Sequence, residues 1–118
     1  MSTKRIEEPF WSALDSLVRE SELVIDRPKD SHHLRFPEMV YPVDYGYLKN
    51  TTSMDENDID VWRGSDISGK IDAVICTIDL RKKDSEVKIL IGCTSAEKKL
   101  IYEFYNRNKY MKGLLIER

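Results

Sequence analysis

"KIDAVICTIDLRKKDSEVKILIGC", residues 70–93, holds two runs dense in valine and isoleucine on either side of a charged "RKKDS". β-Branched side chains suit a pleated, half-buried surface, and a short charged connection between two such runs predicts a hairpin of two strands. Working back along the chain, "DIDVW" at 58–62 is another short strand, set off from the hairpin by a polar turn through Gly64, Ser65, Ser68 and Gly69. "MVYPVDYGYL" at 39–48 reads as extended chain interrupted at Pro42 and Gly46. Proline has no N–H to give to a ladder, so it implies an edge or a bend there. "ELVID" at 22–26 is a strand that Pro28 closes, and the aperiodic "RPKDSHHLRFPEM" at 27–39 is a loop. After Pro9, residues Phe10, Trp11, Ala13, Leu14, Leu17 and Val18 recur at helical spacing, with Glu7 and Glu8 near the positive N-terminal end; this predicts an amphipathic helix of roughly three turns. "TSAE" at 94–97 has capping-box spacing ahead of Leu100, Ile101, Phe104 and Tyr105, which predicts a second helix to about Asn108. "GLLIE" at 113–117 is a last strand that pairs back. Strands that follow one another without intervening helices point to an antiparallel sheet, not a doubly wound parallel one. The expected fold is α+β and mainly β: a small antiparallel OB-like barrel flanked by N-terminal and C-terminal helices, in one domain spanning 1–118.

The chain has 118 residues, 41% hydrophobic and 34% charged, with a formal net charge of -2. Both signs are mixed throughout, which argues against non-specific nucleic-acid binding. No apolar run approaches a membrane span, and "MSTKRIEEPFW" has no hydrophobic signal core behind its basic residues, so a cytoplasmic location without membrane contact is expected. Cys76 and Cys93 lie inside apolar runs without metal or redox spacing and read as small buried hydrophobes.

The chemistry concentrates in two places. Asp55, Asp58 and Asp60 sit in a turn leading into a strand, and Asp79 and Asp84 sit at the ends of the hairpin strands. Taken singly, each aspartate reads as loop punctuation. Gathered by neighbouring strand ends they would repel one another unless a cation lay among them, and hard oxygen ligands suit Mg²⁺ or Mn²⁺. A calcium EF-hand starting at Asp55 fails, because its sixth position would be Asp60 instead of glycine and its twelfth Asp66 instead of glutamate. Upstream, Arg27, Lys29, His32, His33 and Arg35 form a basic cluster, and metal carboxylates with arginine and lysine are what phosphoryl transfer requires. The two histidines lack helical ligand spacing and read as peripheral.

"YPVDYGYLKNTTSMDENDIDVW", residues 41–62, resembles the signature of the family I soluble inorganic pyrophosphatases, whose pattern runs Tyr-Pro-x-x-Tyr-Gly, then Asp-x-Asp-x-x-Asp and Val. The resemblance extends from Asp26 to Lys109. It implies that Asp26 stands for an active-site glutamate, that Tyr45 hydrogen-bonds a phosphate or the nucleophile, and that Asp60 joins them in catalysis. Tyr41 and Tyr47 read as core or rim packing. It gives Asp55, Asp60, Asp79 and Asp84 as metal ligands, with Glu86 as the alternative to Asp84 in a second register. Arg35, Lys88 and Lys109 would meet phosphate; Asn108 stands where the family's helix has a tyrosine. A family hairpin between Asp26 and Arg35 is absent, and Arg27 and Lys29 in the compact loop would supply its lost charge. Asn57 replaces the middle aspartate, and an amide cannot take a proton from a metal-bound water. The implied function is a Mg²⁺-dependent inorganic diphosphatase acting on the small phosphorylated substrate pyrophosphate, slowed by Asn57, with self-association left open. Two alternatives stand beside it: a catalytically weakened phosphate- or metal-binding module, and an OB-like oligonucleotide-binding barrel, which the acidic turn disfavours.

Overall fold

The computed structural model describes residues 3–54 and 56–118, the side chains of residues 3–5 excepted. The chain runs α1 (Thr3–Arg19), β1 (Glu22–Arg27), β2 (Asp44–Lys49), β3 (Ile59–Arg63), β4 (Ala73–Asp79), β5 (Asp84–Ile91), α2 (Ser95–Tyr105) and β6 (Met111–Glu117). The strands form one six-stranded sheet in the order β1-β2-β3-β5-β4-β6. Every pairing is antiparallel except β3 with β5, which run parallel through Val61↔Ile89, Trp62↔Leu90 and Arg63↔Ile91. The expected mainly β fold with two helices is present. The expected closed barrel is not: among the described residues β1 and β6 remain the sheet's edges.

A helix lies on each face. Trp11 and Leu14 of α1 pack with Leu48, Val61, Val74, Ile89 and Ile91, while Ile101, Phe104 and Tyr105 of α2 pack with Trp62, Ala73, Ile75 and Leu90. Consecutive residues of β3, β4 and β5 thus serve opposite cores. This is why those strands read as unbroken apolar runs and not as an alternation. Cys93 is buried as expected, and burial pushes its thiol up to about 12. Cys76 departs from expectation by being partly exposed; its cross-strand partners Val87 and Leu114 are exposed too, because α1 does not reach that end of the sheet.

Both helix limits differ from the sequence reading. α1 begins well before Pro9, which lies inside it. The Arg118 guanidinium holds Glu8 Oε1 at 2.7 Å and Asp15 Oδ2 at 3.0 Å, fastening carboxylates on both sides of the proline. α2 has the expected capping box of Thr94 and Glu97 but stops at Tyr105, because the Asn106 amide donates to the Tyr102 and Gly113 carbonyls and accepts the Gly113 N–H, ending the helix against β6. β2, despite Pro42 just before it, is an interior strand; Gly46 brings it so close to β1 that a Cβ there would lie 1.8 Å from the Val24 carbonyl oxygen. Among the described residues no helix is long and apolar enough to cross a membrane.

Candidate active site

Along β5 the two-residue period places Asp84, Glu86 and Lys88 on the same face as Leu90, which belongs to the α2-side core. Asp60 of β3 shares that face with Trp62, and Tyr45 of β2 lies opposite Trp62. The α2 face therefore changes from apolar to charged as the strands leave the cover of the helix. There it opens into a cleft of about 830 Å³.

Lys88 is the centre of the cleft floor. Its Nζ donates to the Tyr45 hydroxyl at 2.9 Å and meets Asp60 Oδ2 at 3.1 Å and Glu86 Oε2 at 3.0 Å. Burial disfavours the ammonium, but the oxygens of Tyr105, Tyr45, Asp60 and Glu86 outweigh it and hold the Lys88 pKa well above the ordinary lysine value. Burial in turn raises the Tyr45 phenol well above its ordinary value, so it stays a neutral donor. Behind them the Trp62 indole N–H donates to the Tyr105 hydroxyl at 3.1 Å, within an aromatic cluster of Tyr41, Tyr45, Trp62, Phe104 and Tyr105. The lysine is thus a fixed, permanently charged group on a stiff aromatic base.

The walls come from the 27–39 loop, the β4–β5 hairpin and the segment after α2. They bring Arg35, Arg81, Lys82, Lys88 and Arg107 together with Glu38, Asp60, Asp79, Asp84 and Glu86. Among the described residues, five cations and five anions of the lining balance. His33 Nδ1 accepts the Arg35 and Phe36 backbone N–H groups, both at 3.1 Å, which leaves the ring proton on Nε2. Burial first, then the charge of Arg27 and Lys82, lowers its pKa below 6.5.

Of the residues expected at a site, Arg35, Tyr45, Asp60, Asp79, Asp84 and Lys88 line this one cleft, as does Asn57. Asp55 lies outside the described residues. Asp26, Arg27, Lys29 and Lys109 are not in the cleft wall. Asp26 sits exposed on the edge strand, 3.6 Å from the Arg27 guanidinium, which also donates to the Asp26 carbonyl. The Lys29 backbone N–H is tied to Asp44 Oδ1, and Lys109 rests near the Tyr110 ring. His33, read as peripheral, is part of the wall, whereas His32 is outside it. Sequence reasoning took Tyr105 only as helix packing and gave Arg107 no role, yet both line the cleft. Counting back from Lys88 by twos would have favoured Glu86; the helical spacing of Phe104 and Tyr105 signalled burial and nothing of the lysine beneath.

The carboxylates divide by what they already do. Asp79 Oδ1 accepts the N–H groups of Arg81 and Lys82 at 2.9 and 3.1 Å, so it caps the hairpin turn as loop punctuation would. Asp60 and Glu86 converge on a positive charge, the Lys88 ammonium. Among the described residues no three histidine, cysteine or acidic side chains gather as round one ion. Mg²⁺ is commonly held by one or two carboxylates, completed by water and phosphate oxygens, and the Asp60–Glu86 pair fits that mode of binding. A smaller hollow of about 350 Å³ beside α1 is lined by Glu8, Trp11 and Arg118, and its arginine is occupied in clamping the helix.

No family model matches the chain, and no curated protein matches it. Solved structures do. An inorganic pyrophosphatase from Coxiella burnetii aligns with a TM-score of 0.61 at 14% identity, covering 80% of this chain and 84% of that one. An inorganic phosphatase from Anaplasma phagocytophilum aligns at 0.58 with 16% identity, covering 80% and 82%. The inorganic pyrophosphatase of Helicobacter pylori aligns at 0.59 with 17% identity, covering 81% and 83%. The chain has a pyrophosphatase-like fold.

Proposed function

We propose that this protein is a cytoplasmic, Mg²⁺-dependent phosphoanhydride hydrolase, with pyrophosphate as the substrate that its resemblance implies. The observation that carries the reading is the floor of the cleft, where one buried lysine is held between a tyrosine hydroxyl and two carboxylates. A phosphate oxygen arriving there meets the charge of an ammonium whose three N–H groups are shared among Tyr45, Asp60 and Glu86, and a phenol that burial keeps neutral and able to donate its O–H. Arg35 on the loop adds a donor able to bind phosphate through two parallel N–H groups. The balanced charge of the described lining residues gives a multiply charged anion no long-range attraction, which favours a substrate that arrives with its own cation. Asp60, Glu86, Asp79 and Asp84 are the described carboxylates that would hold Mg²⁺, which when bound lowers the pKa of a coordinated water and neutralises phosphate oxygens. Asp60, part-exposed at the floor, is the carboxylate placed to hold or accept a proton there.

One observation favours the second reading, a phosphate-binding module with little turnover: Asn57, on the cleft wall, is an amide where the resembling pattern has a base. Phosphate release from pyrophosphate, with and without Mg²⁺, separates the two. Hydrolysis only with Mg²⁺, lost by about 10²-fold or more in Asp60→Asn and much less in Asp26→Asn, is expected. Binding of pyrophosphate without any release leaves the module.

A further inference from the structure

The cleft is larger than two phosphates require. From Lys88 to Asp84 is four residues of β5, or ~14 Å of strand at about 3.4 Å each, and Arg81 lies beyond, in the turn between Asp79 and its cross-strand partner Asp84. Pyrophosphate, two tetrahedra sharing an oxygen, cannot reach from the floor to that end. At the far end the Arg81 guanidinium lies 3.9 Å from the centroid of the Tyr110 ring. Both residues are pinned by their backbones: the Arg81 N–H is held by Asp79 Oδ1, the Tyr110 N–H by Asn108 Oδ1, and the Tyr110 carbonyl accepts from Leu80. Tyr110, whose ring also has the Lys109 ammonium 5.3 Å from its centroid, keeps 37% of its surface open, so a preformed cation–aromatic pair stands within reach at this end of the cleft. The 27–39 loop shares the cleft with it, since His33, Arg35 and Phe36 line the same walls as Arg81 and Lys82.

We propose that the cleft takes a nucleoside 5′-di- or triphosphate in preference to bare pyrophosphate, with its phosphates on the Lys88 floor and its base on the Arg81–Tyr110 stack. The inference rests on the phosphoanhydride reading of the floor and adds the organic half of the ligand. Base stacking on an aromatic side chain is sequence-tolerant, because every base has a π face, so purine and pyrimidine nucleotides are both accommodated and a non-aromatic substituent is not.

Two non-hydrolysable probes that differ only in the nucleoside test this: methylenediphosphonate and α,β-methylene-ADP, titrated calorimetrically into the full chain with Mg²⁺ present. The nucleotide analogue binds about tenfold tighter or more. Tyr110→Ala brings its affinity down to that of methylenediphosphonate while the diphosphonate is unaffected, and Tyr110→Phe, which keeps the ring, retains the preference. Equal affinity for the two probes, or a preference that survives Tyr110→Ala, overturns the inference and leaves the phosphoanhydride reading standing. Binding of neither probe overturns both.

Discussion

Replacing Lys88 by Met tests the floor of the cleft most directly, because methionine keeps an aliphatic stem of similar length and removes only the charge. The lysine side chain is 11% exposed and faces Asp60 and Glu86, which keep 31% and 22% of their surface open. Breaking a fully buried ion pair by deleting one partner costs ~3–5 kcal/mol, since the other charge is left uncompensated. Here water still reaches both carboxylates, so the cost lies at or below the bottom of that scale, about 2–3 kcal/mol. For a chain of this length each kcal/mol moves Tm by about 4 °C, and the expected drop is ~8–12 °C by differential scanning calorimetry without divalent cations. Millimolar Mg²⁺ then raises Tm more in Lys88→Met than in the native chain, because a native-state ligand that replaces the missing charge stabilises by mass action. In an Asp60→Asn, Glu86→Gln background the same Lys88→Met change costs little, for no stranded carboxylate remains. Full destabilisation in that background would refute the electrostatic reasoning and assign the role of Lys88 to packing, and a drop under about 3 °C in the native background would mean that the pairings carry no weight.

Gly46→Ala drives a methyl into the Val24 carbonyl and should cost about 3 kcal/mol; an unchanged melting curve would contradict the Ile25↔Gly46 register of β1 and β2. The His33 imidazole should titrate by NMR with a midpoint below 6.5, and the Arg35 and Phe36 amide resonances should move with it, because Nδ1 accepts both N–H groups only while unprotonated. The lowered folded-state pKa means that this loop contact is fully present above 6.5 and is lost as pH falls through the native value. A midpoint at or above 6.5 excludes the arrangement. Asn57→Asp should raise Mg²⁺-dependent phosphate release by about tenfold or more, part of the ~10²–10⁴ that general-base assistance supplies; no gain in rate or metal affinity would favour the binding-module reading.

Local chemistry made much of this legible. Val and Ile density marked β4 and β5, Thr94 and Glu97 marked the start of α2, and the acidic and tyrosine motif of 41–62 contains Tyr41, Tyr45, Asn57 and Asp60, which line the cleft. These signals act within a few residues of one another, so a linear reading captures them. The sheet's order, its parallel β3–β5 pair and its open edges were not legible, because pairing partners are chosen by which faces the two helices cover. The same limit applied at the site. Asp60, Glu86 and Lys88 were each visible as charged residues, but their convergence depends on β3 lying beside β5, and nothing in the linear pattern tells that Asp79 Oδ1 also caps its own turn. Asp26 and Lys109 were included through the resemblance and Lys29 for its charge, and none of the three lines the cleft wall. Sequence by itself determined which segments are strands or helices and which residue types could carry phosphate chemistry, since both follow from side-chain pattern and local hydrogen bonding. Tertiary structure alone decided that one lysine, buried among two carboxylates and two tyrosines, is the centre of the cleft floor, because only packing of distant strands brings those charges within hydrogen-bond range.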